Sequence, residues 1–164
     1  MEAGFPRWQM RPEIERFKHE GLDPNLDFAK WDFMLNLGQC PDEVWKRISG
    51  VVESIIAYDD ESWPDDEDYW RAILPDWLSS FMMTAEETHL AVARTPREQW
   101  DQLPWDFASW LDAIRERDWR WWGYQRSGSE VRLVLLVIGS PPRIDAFKQI
   151  LLASGSKILS EDYD

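Results

Sequence analysis

Two histidines, one cysteine and 31 carboxylates are the side chains from which catalysis or metal binding could be built. His19 and His89 stand far apart in the chain, with no HExxH motif and no pair of histidines at metal-ligand spacing. His19 falls in a charged helical stretch and reads as solvated, while His89 opens a short apolar run and reads as structural. Cys40 is the single cysteine, which excludes an intramolecular disulfide and a cysteine-based zinc site, and it reads as a small buried apolar residue. The chain holds no GxSxG, no phosphate-binding GxxxxGK[ST] and no GxGxxG, so acyl transfer and nucleotide chemistry lack their usual signatures. Two carboxylates beside a tryptophan-lined cleft could hydrolyse a glycoside, but among so many acids such a pair carries no weight. The expectation is a protein that is not an enzyme and needs no cofactor.

The carboxylates are instead concentrated. DDESWPDDED, residues 59–68, places Asp59, Asp60, Glu61, Asp65, Asp66, Glu67 and Asp68 in one short stretch around Trp63, with Trp70 just beyond. Charges this dense repel one another and cannot pack, so the stretch is exposed. It is either a solvated loop whose second half caps the following helix or a contact surface for a cationic partner. Trp63, surrounded by charge, is the tryptophan expected to be exposed. The net charge of −13 repels a phosphate backbone and suits a basic partner. Twelve tryptophans are several times the usual share, and most are expected in the core, because each buries a large area while keeping an N–H to donate.

These residues need a scaffold, and its centre is Glu130 to Ser154. Val131 to Ile138 contains one polar residue, Arg132, and is apolar on both faces, so it reads as a strand covered on both sides. Ser140 and Pro141 supply an N-cap and a first helical position, Ile144, Phe147, Ile150 and Leu151 recur at helical spacing, and Gly155 closes the helix. Asp118 to Arg126 alternates like a strand and joins the central strand through Ser127-Gly128-Ser129. Its Trp122 and Tyr124, with Arg120 and Arg126, could form one face superficially like a base-stacking RNA-binding sheet, but the glycine-aromatic signature is missing and the acidity opposes it.

Upstream, Pro12 to Glu20 reads as a short helix, and Leu26 to Leu37 reads as helix with a strand left possible by its alternation. Cys40 to Tyr58, started by Pro41, reads as a helix with a broad apolar stripe, and two helical pieces meet at Pro75. His89 to Ala93 reads as a strand, and Thr95-Pro96-Arg97-Glu98 as a capping box opening a helical region broken at Pro104. Lys157 to Leu159 is a last short strand. The fold expected is α+β: residues 1–83 an acidic helical region, residues 84–164 a small ferredoxin-like (βαββαβ) antiparallel sheet, and the helical half covering the sheet's second face. The first 83 residues hold 18 acids and 8 bases, so the acidity belongs to the helical half.

No apolar run approaches the length of a membrane span, and MEAGFPRWQMRPEIERF lacks the apolar core of a signal peptide, so a cytoplasmic location is expected. In size, acidity and its exposed acidic stretch the chain resembles the immunity proteins of bacterial toxin systems. That resemblance implies a non-catalytic inhibitor that binds a basic protein, such as a cognate toxin, over its active surface, without nucleic acid or membrane. The site would be the carboxylates of 59–68, steering and pairing with Lys and Arg, and Trp63 and Trp70 as anchors. The alternatives are a nucleic-acid mimic that blocks a DNA-binding protein, or a tryptophan-lined glycan-binding protein or enzyme. Mimicry calls for carboxylates spread along an extended surface, whereas here they bunch.

Overall fold

A four-stranded antiparallel sheet is assembled from both halves of the chain. The structure is a computed structural model and describes residues 13–22, 29–59, 61–139 and 142–164. In chain order the elements are α1 (Glu13–Phe17), β1 (Lys30–Asn36), α2 (Pro41–Ile56), α3 (Glu67–Ile73), α4 (Asp76–Ser79) and α5 (Ala85–Arg94). A 3₁₀ turn (Arg97–Gln102), α6 (Phe107–Arg115), β2 (Trp119–Ser127), β3 (Glu130–Val137), α7 (Asp145–Ala153) and β4 (Lys157–Tyr163) follow. The sheet runs β2-β3-β1-β4, with every neighbouring pair antiparallel.

Two sequence expectations are corrected together. Residues 30–36 form β1 rather than part of a helix, and Trp31, Phe33 and Leu35 face the core while Asp32 and Met34 point the other way. This period of two is what a strand between two partners needs, and β3 and β4 supply those partners. The beginning of the expected helix, 26–28, lies outside the described residues. Conversely, His89 to Ala93 is not a strand but part of α5. Thr84 Oγ1 accepts from Glu87 N at 3.1 Å while the Glu87 carboxylate takes Thr84 N, a capping box one helix earlier than expected. A five-residue apolar run is too short to separate the two periodicities, and the cap with its alanine-rich sequence decides for helix. Thr95 makes no cap; Pro96 precedes only the 3₁₀ turn, and Thr95 O instead accepts from the Trp100 indole. The strand expected at 89–93 is therefore supplied by the first half of the chain.

The core lies on one face of the sheet. Phe33, Leu35, Trp119, Trp121, Leu133 and Leu135 meet Ile48, Val52 and Ile55 of α2, Trp110 and Ile114 of α6, and Phe147, Ile150 and Leu151 of α7, all buried. The Trp110 indole donates to Ala146 O at 2.9 Å and locks α6 to the start of α7. Ser140 and Pro141 lie outside the described residues, but the helix expected to start at Pro141 begins only at Asp145, where Ile144 takes the N-cap position without a side-chain bond, so Ser140 does not cap it. Gly155 ends α7 with φ +96°, as the helix stop requires. The long helix α2 thus shares its face with α7 instead of covering the opposite one. On that second face Trp122, Val134 and Leu136 form a smaller buried cluster against Leu22, beside an exposed Asp32–Arg132 ion pair at 2.7 Å.

A β-bulge between Trp121 and Gly123 decides where the aromatic residues of β2 go. It sends Trp122 to the small cluster, under the Arg16 guanidinium at 3.6 Å, while Tyr124 packs against Trp45 on the core side. Trp122 and Tyr124 therefore do not share a face, and no base-stacking surface forms from them. Gly123 is required there, because a Cβ would overlap the Gly21 carbonyl oxygen where Gly21 N–H bonds to Tyr124 O at 2.9 Å. The same edge holds α1, whose Glu13 receives both terminal nitrogens of Arg117, at 2.6 and 2.7 Å, with both side chains largely buried.

Candidate functional site: the acidic turn and its aromatic support

The acidic stretch is a built turn. As α2 ends, the Asp59 carboxylate accepts from Ser62 N and from Ser62 Oγ, both at 2.8 Å, and Asp59 N donates back to Ser62 Oγ at 3.0 Å. The Ser62 hydroxyl and then the Ser62 N–H hold the Asp59 carboxyl below its ordinary range, so it stays charged. Pro64 brings the chain back over Trp70, whose indole donates to Pro64 O at 2.8 Å. Trp63 lies on Trp70 with ring centroids 4.4 Å apart and planes 26° apart, and Tyr58 stands edge-on to both. The Tyr58 and Tyr69 hydroxyls hydrogen-bond, and this bond, followed by burial, raises the pKa of Tyr69. Asp66 is the N-cap of α3, its carboxylate accepting from Asp68 N at 2.9 Å, and Glu67 pairs with Arg71 one turn on. Asp65 reaches across to Arg115 of α6 at 2.6 Å.

The proposed contact residues therefore divide. Asp59, Glu61, Asp65, Asp66, Glu67 and Asp68 are all exposed along one turn, but Asp59, Asp65 and Asp66 also carry local structure. Asp60 lies outside the described residues. Trp63, expected to be exposed, is half-buried, because stacking on Trp70 recovers apolar contact that the surrounding charges cannot offer. Trp70 is 1% exposed and cannot itself touch a partner; it is the platform for Trp63. Cys40, expected to be buried, is exposed at the entrance to α2. His19 and His89 are both exposed.

The described residues form two clefts of about 480 Å³, of which one borders this region. The first lies between the turn and the end of α6, where Arg115, Arg117 and Arg120 meet Glu13, Asp59 and Glu116; its charges are balanced, and the Arg117–Glu13 pair is consumed in holding α1. The second lies beyond α5 and is walled by Trp100 and Trp105. Sequence reading missed Trp100, which at 43% exposure is the most open tryptophan among the described residues. The signal was present in REQWDQ, where Trp100 is surrounded by polar residues much as Trp63 is. Among the described residues no group of three or more His, Cys, Asp or Glu side chains is placed to hold a metal ion, and no helix is long and apolar enough to cross a membrane. No family model, curated protein or solved structure matches the chain.

Proposed function

We propose that this is an acidic binding protein that neutralises a basic protein partner, such as a bacterial toxin, by covering its active surface. The observation that carries this reading is the preformed acidic turn: six exposed carboxylates, four on a loop and two in the first turn of α3, held by the Asp59–Ser62 bonds, the Asp66 cap and the Trp63–Trp70 stack. A loop ordered in advance loses less entropy when it binds, and carboxylates clustered on a protein of charge −13 accelerate encounter with a cationic surface. The scaffold reads as ferredoxin-like, a reading supported by the strand order β2-β3-β1-β4, with the first crossover enlarged to contain α2 through α6.

Glu61→Gln combined with Asp68→Asn tests this, because both side chains are exposed and neither caps a helix nor closes the turn. Partners retained from a lysate of the source cells through a high-salt wash would be identified and purified, and association followed by surface plasmon resonance. The double variant should keep the melting temperature and lose roughly tenfold in association rate at low salt. Unchanged association and affinity would reduce the turn to a solvated connection.

A further inference from the structure

The second cleft has a composition that selects a ligand. It opens between α5, the 3₁₀ turn and the N-terminal end of α6. Its apolar wall is Trp100, Trp105 and Val92, and its polar rim is Asp101, Asp106 and Asp145. Among the described residues, no lysine, arginine or histidine lines it. This contrasts with the first cleft, where three arginines offset three carboxylates.

Its walls are fixed from different sides. Trp100 N–H is spent on Thr95 O at 3.0 Å, which orients the indole and leaves its ring as the exposed surface. Trp105 is tied at the backbone, with its carbonyl accepting from Met83 N at 2.9 Å, and it packs partly on the core. Asp106 is held as the cap of α6 by Ser109 N–H and Oγ–H, at 2.8 and 2.9 Å, whereas Asp101 and Asp145 are exposed at the rim. Arg97 already sets a guanidinium 5.8 Å from the Trp100 centroid, at the outer limit of a cation–π contact.

We propose that this cleft receives an arginine side chain of the basic partner, its guanidinium over an indole face and paired with the rim carboxylates, its methylene stem along the apolar wall. The inference rests on the basic-partner reading and adds a specificity pocket to it. Charge complementarity selects a cation. The combination of flat aromatic wall and carboxylate rim favours the planar, stacking, bidentate guanidinium over an ammonium. Helix α6 connects the two contact regions: Ser109 lines this cleft, and its neighbour Ala108, with Asp112, lines the groove beneath the acidic turn. A partner that engages the turn can therefore reach the cleft along the exposed side of one helix.

The test uses the whole chain and a pair of blocked tripeptides, acetyl-Gly-Arg-Gly-amide and its citrulline counterpart, which matches arginine in shape but lacks the charge. Indole N–H resonances, assigned by substitution, would be followed by NMR. The arginine peptide should give saturable shifts of Trp100 and Trp105 in the millimolar range, and the citrulline peptide should bind about fivefold more weakly or not at all. Asp101→Asn with Asp145→Asn should weaken the arginine peptide by roughly fivefold, while Glu61→Gln with Asp68→Asn should leave it unchanged. Equal response to both peptides, or no effect of the rim substitutions, overturns the proposal. So does preferential saturation by cellotetraose, which would assign the aromatic wall to sugar stacking. Failure here leaves the acidic turn's association kinetics standing, and failure there leaves the pocket's response intact, so the two readings fall separately.

Discussion

Residues 58–70 and 95–106 start from the same material, tryptophans set among acids, and use it in opposite ways. In the first, Trp63, Trp70, Tyr58 and Tyr69 close on one another, and the acids are organised around that stack. In the second, neither α5 nor the 3₁₀ turn buries a residue, and Trp100 stays open beside a cleft. The difference lies in what each segment is joined to. Trp70 sits on α3 with its ring in the main core, so Trp63 has an apolar surface to lie on. Trp100 sits on a 3₁₀ turn between two prolines, Pro96 and Pro104, and its chain passes over the surface without a buried anchor of its own. Aromatic content alone does not separate a packed tryptophan from an exposed one; the neighbouring anchor does.

Stability measurements on single variants can break this contrast. The largest effect should come from Trp70→Ala, which removes a buried indole, its bond to Pro64 O and the support of Trp63. A loss of about 3–5 kcal/mol is expected in urea unfolding. A cost below that of an ordinary surface substitution would mean that the stack does not support the turn. Asp66→Ala is next: it deletes the N-cap of α3 and should cost about 1 kcal/mol, read as a lower denaturant midpoint at unchanged slope. A neutral result would transfer the ordering of the turn entirely to Trp63 and Asp59. Trp100→Ala should be smallest, about 1 kcal/mol or less, because the ring is 43% exposed and loses only its surface hydrogen bond to Thr95 O at the end of α5. If it destabilised as much as Trp70→Ala, Trp100 would be a packing residue and the two regions would be alike.

Much of the second half was legible from local pattern. β2, its turn at Gly128 and β3 lie where alternation and turn chemistry place them, and α2 follows its apolar stripe. Helix α7 follows its helical spacing but starts at Asp145, four residues after the expected Pro141. These elements are long enough for periodicity to be unambiguous. Misreadings fell on short segments. Residues 30–36 satisfy either period over seven positions, and only pairing with β3 and β4 selects the strand. His89 to Ala93 shows the reverse, where a cap outside the apolar run determines its conformation. Of the site, the exposure of the carboxylates was readable, because seven charges in ten residues cannot be buried. The positions of Trp63 and Trp70 were not, since stacking depends on how Pro64 turns the chain back.

The sequence by itself determined the composition of the surface and of the core: a strongly acidic chain, an apolar strand that had to be central, and helices with one face to bury. Those properties follow from side-chain solvation and local periodicity, which need no knowledge of distant residues. Only the tertiary structure decided that β1 enters the sheet between β3 and β4, that the bulge at Trp121–Gly123 parts Trp122 from Tyr124, and that Trp63 is half-buried on Trp70 while Trp100 is exposed. Each of these is a choice between conformations of similar local energy, settled by contacts between residues far apart in the chain.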